Sequence, residues 1–131
     1  MTKVLNRGLK AYGAVQAQRL GFYPAERVGG TVTQATNKGT AVTLNRLTGA
    51  ITTNNASLTG AANVAFTVNN NLVRATDTVV CSVRSGGPTG RYFAAVSAVA
   101  NGSFQVTLTN AGATAGEVVV INFAVINSVQ N

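Results

Sequence analysis

Residues 101–109 read Asn-Gly-Ser-Phe-Gln-Val-Thr-Leu-Thr, and this stretch decides the fold class. From Ser103 onward polar and apolar side chains alternate strictly, which is the two-residue period of a β-strand with one buried face. We therefore expect Phe104, Val106 and Leu108 to face the core and the opposite face of this strand to meet water.

The two residues before this strand predict how it is connected. Asn101 and Gly102 follow an apolar run over 91–100, and both residue types tolerate the positive φ angles of a two-residue type I′ turn. The sequence therefore predicts a β-hairpin with its turn at these two residues.

The same pattern recurs from Thr31 to the end of the chain. Short runs of β-branched and aromatic residues are separated by clusters of Gly, Asn, Asp and Pro, which is typical of strands joined by turns. The predicted strands lie near 31–35, 41–45, 49–53, 63–68, 77–84, 91–100, 103–109 and 117–126. Strands at this spacing indicate a sandwich or a barrel, and we expect an all-β, antiparallel, jelly-roll-like sandwich.

The last predicted strand differs from the others because it is apolar on both faces. Between Val118 and Ile126 only Asn122 is polar. Such a strand should be covered on two sides, either by the N-terminal segment or by another subunit.

The segment Ser85-Gly86-Gly87-Pro88-Thr89-Gly90 has the glycine content of a phosphate-binding loop. It lacks the Gly-Lys-Ser/Thr ending of that motif, and no helical pattern follows it. We interpret it as a hairpin loop that is long enough to meet a partner.

Residues 1–30 form a separate N-terminal arm, followed by a sandwich domain over 31–131. Leu5, Leu9 and Tyr12 approximate a helical stripe. However, Gly8 and Gly13 each lower helix stability by about 1 kcal/mol relative to alanine. Pro24 favours extended structure at the residue before it. The arm is therefore expected to be extended or partly helical.

The net charge of +7 comes from ten Lys and Arg residues against three acids. Half of the basic residues precede Val28, so the charge belongs mainly to the arm. Nucleic acid, an anionic membrane and an acidic protein surface are all compatible with this balance.

Catalytic chemistry lacks its usual components in this chain. Histidine is absent, which excludes Ser-His-Asp and Cys-His constellations. The acids Glu26, Asp77 and Glu117 fall on three separate segments, and a single cysteine cannot make a zinc site. We expect no enzymatic activity, no cofactor and no metal, with Cys81 buried as a small apolar group.

No apolar run reaches the length of a signal peptide or a membrane span. We therefore expect a protein made in the cytoplasm that has no membrane partner.

The run from Thr31 to Thr52, TVTQATNKGTAVTLNRLTGAIT, resembles a module of tailed-phage and prophage structural proteins. Residues 66–70, 75–77 and 120–126 fit the same pattern in the same order. The resemblance covers about three quarters of the chain and implies a small β-sandwich displayed on a virion, with no catalytic residues to transfer. The arm lies outside the matched region.

Together these observations favour a capsid decoration, or cement, protein that binds the major capsid protein on the outside of the shell. The arm would anchor it through apolar and basic side chains. The predicted partner-binding residues are Lys3, Leu5, Arg7, Leu9, Lys10, Tyr12, Arg19, Phe22, Tyr23 and Arg27. The chain holds 17 Thr and 14 Asn, so we expect a surface of neutral hydroxyl and amide groups. This surface and the doubly apolar strand at 118–126 suit self-association, as homotrimers or alternatively as dimers.

Two other functions stay open at this point. One is a head-fibre, tail-fibre or spike component that contacts a host surface, although no heptad or repeat builds a fibre here. The other is a nucleic-acid-binding protein, in which Arg7, Lys10 and Arg19 contact phosphates and Tyr12 stacks on a base. The arm is also compatible with a solvated tail that has no partner.

Overall fold

The computed structural model describes residues 27–128, and these form eight strands. In chain order they are β1 (Thr31–Thr33), β2 (Val42–Thr43), β3 (Thr48–Thr52), β4 (Ala62–Asn69), β5 (Thr78–Ser85), β6 (Tyr92–Ala100), β7 (Ser103–Asn110) and β8 (Val120–Ile126). Each strand overlaps its predicted range. The expectation of an extended or partly helical arm concerns residues outside the described range.

The strands form two four-stranded sheets that pack face to face. The first sheet has the order β1-β3-β8-β5, and the second sheet has the order β2-β4-β7-β6. Every connection except the β6–β7 hairpin crosses from one sheet to the other. The β1–β3 and β2–β4 pairs are parallel and the other four pairs are antiparallel. The predicted all-β sandwich is confirmed, and its sheets are mixed.

The core lies between the inner faces of the two sheets. Phe104, Val106 and Leu108 are fully buried there, as the alternation in β7 predicts. The Phe104 ring meets the Phe123 ring of the opposite sheet at a centroid distance of 5.2 Å and an interplanar angle of 57°. Tilted aromatic pairs at this distance stabilise a core beyond the area that they bury.

The strands at the sheet edges are short or irregular. β1 has three residues and β2 has two, so they offer little backbone for further pairing. The longer edge strands carry register shifts, between Val83 and Ser85 in β5 and between Val96 and Ala98 in β6. Short edges and bulges both oppose edge-to-edge association with other chains.

The predicted hairpin is present, but its turn is not type I′. Ala100 pairs with Ser103, so Asn101 and Gly102 form the loop. Gly102 has a φ of +83°, whereas Ala61 is the only non-glycine residue within 27–128 with a positive φ. Asn101 therefore has no positive φ. Its side chain connects the loop to a neighbouring segment, since its Oδ1 accepts the N–H of Ala75 at 2.9 Å.

The hairpin predicted at Ser85–Gly90 is wrong. This segment follows β5 of the first sheet and precedes β6 of the second sheet, so it is a crossing between sheets. The glycines are still required, since a Cβ at Gly86 would lie 2.4 Å from the carbonyl oxygen of Val118.

β8 has one covered face and one open face. Its inner residues, Ile121 and Val125 among them, are fully buried. On the outer face Asn122 is exposed and Ile126 is 51% exposed. Residues 27–128 therefore do not supply the second cover that the sequence predicts for this strand.

Replacing Phe104 with alanine should lower the free energy of unfolding by about 3–5 kcal/mol, because the cavity would open at the contact between the sheets. Phe93 is a matched control on the outer face of the second sheet, where it is 55% exposed. Phe93→Ala should change stability by no more than about 1 kcal/mol. Denaturant titration measures both, and equal losses would contradict this assignment of the core.

Candidate functional site

The strand register places the functional candidates at two opposite ends of the sandwich. The arm enters at one of these ends, which we call the arm-proximal end. There the N–H of Leu47 donates to the carbonyl of Arg27 at 2.6 Å, and the N–H of Val125 donates to the carbonyl of Leu47 at 2.7 Å. The distal end carries the loops at 34–41, 53–61, 86–91 and 111–119.

Nearly all predicted partner-binding residues lie outside the described part of the chain. They are Lys3, Leu5, Arg7, Leu9, Lys10, Tyr12, Arg19, Phe22 and Tyr23. Arg27 is described and is exposed, and its backbone is fixed to the sandwich through Leu47. The hydrogen bonding of the sandwich thus begins a few residues before the predicted domain boundary at 30/31.

Two further arginines lie at the arm-proximal end. Arg46 precedes β3 and is half-buried, and Arg74 precedes β5 and is exposed. Among the residues that the structure describes, they and Arg27 give this end three guanidinium groups and one carboxylate, that of Asp77. Arg46 and Arg74 were not predicted as site residues, because each stands alone in the sequence and only the fold brings them to one end.

Asp77 is buried at this end and fixes the start of β5 to the segment that follows β8. Its carboxylate accepts the backbone N–H groups of Arg74 and Ser128, each at 2.8 Å, and the Asn127 side chain at 2.8 Å. Burial alone would raise the pKa of this carboxyl group. The hydrogen bonds outweigh burial and hold the pKa below its ordinary value.

Asn70 performs the same task for the neighbouring loop. It is fully buried, its Nδ2 donates to the carbonyl of Arg46 at 2.6 Å, and its Oδ1 accepts the N–H of Leu72 at 3.1 Å. Its backbone N–H donates to the carbonyl of Gly102 at 2.9 Å. The arm-proximal end is therefore a rigid platform in which buried polar side chains satisfy the loop backbone.

The distal end also carries charges, but they are engaged with one another. Arg91 forms an ion pair with Glu117 at 3.3 Å, and the buried Lys38 ammonium donates to the backbone carbonyl of Glu117 at 2.6 Å and to that of Asn54. Burial lowers the pKa of Lys38, and the Glu117 carboxylate opposes this effect. These cations serve to hold loops together.

Tyr92 lies beside this cluster, and its ring is buried against Gly87. Within the described residues its hydroxyl has no hydrogen-bond partner of normal geometry. Burial, followed by the neighbouring Glu117 carboxylate, raises the pKa of the Tyr92 phenol. The ring explains Gly87, since a Cβ there would lie 2.5 Å from Cε2 of Tyr92.

The broad faces of the sandwich are almost free of charge. Among all residues of the eight strands, Arg84 on β5 is the only charged one. The outer faces are built from Thr, Ser, Asn, Gln, Ala and a few exposed apolar side chains. Such faces do not repel copies of themselves.

Cys81 points inward from β5, and its strand neighbour is Phe123. Cys81 was expected to be buried, and it packs against the core but is only half-buried, because β5 is an edge strand. Burial raises the pKa of its thiol to about 11. The thiol is therefore protonated at neutral pH.

The two carboxylates within 27–128, Asp77 and Glu117, lie at opposite ends of the sandwich. Within this range no three His, Cys, Asp or Glu side chains are grouped as metal ligands would be. The same residues include no helix that is long and apolar enough to cross a membrane.

No known protein family, curated protein or solved structure matches this chain. The resemblance to virion modules therefore stays a prediction.

Replacing Asp77 with asparagine should destabilise the sandwich by about 1–3 kcal/mol near neutral pH, because an amide nitrogen would face backbone N–H donors. The pKa of Asp77 is lower in the folded protein than in the unfolded chain, where an aspartate titrates at about 4. The ionised carboxylate therefore stabilises the fold above about pH 4, and this stabilisation is lost as the pH falls further. The difference between wild type and Asp77→Asn should therefore shrink in acid. Thermal melts between pH 3 and pH 7 measure this, with Thr78→Val as an exposed neighbouring control. A constant difference across this range would exclude the proposed role of the carboxylate.

Proposed function

We propose that this chain is a capsid decoration protein, which binds the outside of a phage shell through its arm and its arm-proximal end. The observation that carries the proposal is the distribution of charge. The basic arm is joined to the end of the sandwich that holds Arg27, Arg46 and Arg74, while the broad faces are nearly uncharged. An acidic protein surface of matching shape is the partner that this distribution fits best.

The mechanism requires no chemical step, and we propose that the chain has no enzymatic activity. Apolar side chains of the arm would bury area on the major capsid protein, while its Lys and Arg residues pair with carboxylates there. A standard interface removes about 1,600 Å² from water, and many such interfaces on one shell together resist internal pressure. The virion surface is the corresponding location.

Self-association would add to this effect. The outer faces of both sheets are rich in hydroxyl and amide groups, and they are large enough to meet a second copy without repulsion between charges. A homotrimer is the arrangement that we propose, with a dimer as the alternative.

Deleting residues 1–26 should abolish binding to undecorated shells while leaving the sandwich folded. The deletion should end at Glu26, because the Arg27 carbonyl accepts the Leu47 N–H. Cryo-electron microscopy of shells mixed with each protein measures occupancy, and thermal melts confirm folding. Undiminished occupancy by the truncated protein would refute the role of the arm.

A matched pair of charge variants separates the arm from the faces. Changing Lys3, Arg7, Lys10 and Arg19 all to glutamine should lower occupancy, whereas Arg84→Gln, which changes an exposed arginine on the outer face of the first sheet, should not. Binding of the intact protein to bare DNA, with an affinity that falls steeply with salt, would favour the nucleic-acid alternative instead.

A groove at the distal end favours one further candidate function, contact with a host surface. It has a volume of about 370 Å³ and lies along the Ser85–Gly90 crossing, with Arg84, Tyr92 and Phe93 also lining it. The exposed ring of Phe93, the hydroxyls of Ser85 and Thr89 and the backbone of three glycines are groups that bind saccharides by stacking and hydrogen bonding. This end lies opposite the arm, so it would face away from a shell.

If this groove binds surface glycans, the intact protein should bind host cells or purified lipopolysaccharide, and Phe93→Ala should weaken that binding about tenfold or more. Ala95→Ser, on the same face and farther from the groove, is the control. Equal binding by both variants would remove this candidate.

A further inference from the structure

We propose that the groove along the Ser85–Gly90 crossing binds an acidic saccharide, with Arg84 pairing with a carboxylate of the sugar and Phe93 stacking on its ring. The inference rests on the host-surface candidate above and deepens it, since it names the class of saccharide that this groove selects. Every residue of the site lies within 27–128.

The groove lies where the edge strands of the two sheets are connected. Residues 83–85 at the end of β5 and residues 92–93 at the start of β6 line it, together with the crossing between these strands. Its volume of about 370 Å³ falls within the usual range of small-molecule sites. The groove can therefore accept part of an oligosaccharide.

The crossing has a fixed shape before any ligand binds. Gly86 lies so close to the backbone of Val118 that no side chain would fit there. The N–H of Arg91 donates to the carbonyl of Pro88 at 3.2 Å, which closes a turn at the end of the crossing. Tyr92, which also lines the groove, is only 6% exposed. A groove that is formed in advance costs a ligand little entropy of ordering.

Arg84 gives the groove its charge. Among the described residues it is the only charged one that lines the groove. A register shift between Val83 and Ser85 leaves Arg84 without a paired residue in β8, and such bulges re-aim the side chain at the extra position. Arg84 is exposed, and within 27–128 no hydrogen bond or ion pair engages its guanidinium group. This group is therefore available to a ligand.

The other charges near the groove neutralise one another. The Glu117 carboxylate lies beside Gly87, since a Cβ there would be 2.8 Å from its Oε2, but it does not line the groove. It is paired with Arg91 at 3.3 Å. The groove thus has a single net positive charge, that of Arg84. A sugar carboxylate carries one negative charge and a phosphate monoester about 1.5 to 2, so the carboxylate is the better match.

Hydrogen-bond donors and an aromatic ring complete the groove. The backbone N–H groups of Gly87, Thr89 and Gly90 form no hydrogen bond within 27–128, so they remain available to sugar oxygens. Phe93 is 55% exposed and offers an apolar face to a sugar ring. A guanidinium group can bind both oxygens of a carboxylate at once, which would fix the orientation of the sugar on this face.

Binding of the intact protein to an array of purified saccharides tests the class of ligand. The array holds neutral saccharides, saccharides with uronic or sialic acids, and phosphorylated saccharides. We expect the carboxylated members to bind, and their methyl esters, which keep the sugar and remove the charge, to bind at least about tenfold more weakly. Equal binding of acid and ester, or binding of phosphorylated or neutral members alone, would overturn this inference and leave the saccharide candidate standing. Binding of no member would remove both, and shell occupancy tests the decoration proposal separately.

A matched pair of arginine variants tests the charge. Arg84→Gln should lower the affinity for the tightest-binding acid about tenfold and leave that for its methyl ester unchanged, as isothermal titration calorimetry measures. Arg74→Gln, which changes an exposed arginine at the arm-proximal end, should alter neither affinity. Phe93→Ala should weaken acid and ester by the same factor. Thermal melts verify that each variant is folded, and full affinity of Arg84→Gln for the acid would refute the pairing.

Discussion

The packing of the two sheets at the Phe104–Phe123 contact is the constraint on which the rest of this structure depends. Each strand is too short to be stable alone, and every connection but one crosses between the sheets. A residue on one sheet is therefore held in place by the other sheet. The core holds the strands in register, and the loops at both ends are fixed because each one connects strands that are held in this way.

Buried polar side chains complete what the core begins. Asn70 and Asp77 at the arm-proximal end, and Lys38 and Asn110 at the distal end, are buried and hydrogen-bonded to the backbone of loops. When a loop is buried, its backbone donors and acceptors lose their hydrogen bonds with water. Each of these side chains replaces some of those lost hydrogen bonds. The chain thus stiffens its ends without disulfides or metal ligands within the described residues, and this leaves its arginines displayed on a fixed surface.

The alternation of apolar and polar residues predicted the inward face of β7, and runs of β-branched and aromatic residues between turn clusters predicted the other strands. It could not predict which strands share a sheet, because turn residues have the same local chemistry in a hairpin and in a crossing. Ser85–Gly90 was misinterpreted for this reason. The same limit applies to the candidate site: Arg46 and Arg74 are distant in sequence, and only the pairing of strands brings them to the end where the arm enters. The buried asparagines were equally hidden, since Asn in a polar run indicates a loop and says nothing about what its amide contacts.

The short and bulged edge strands affect how copies of this protein behave at high local concentration. Proteins that gather densely on one scaffold reach local concentrations at which free strand edges add to one another and grow into fibrils. Here both long edge strands are interrupted by bulges and both remaining edges are only two or three residues long. Pairing between the edge strands of neighbouring copies is therefore disfavoured, so copies held close together would resist joining into a continuous sheet.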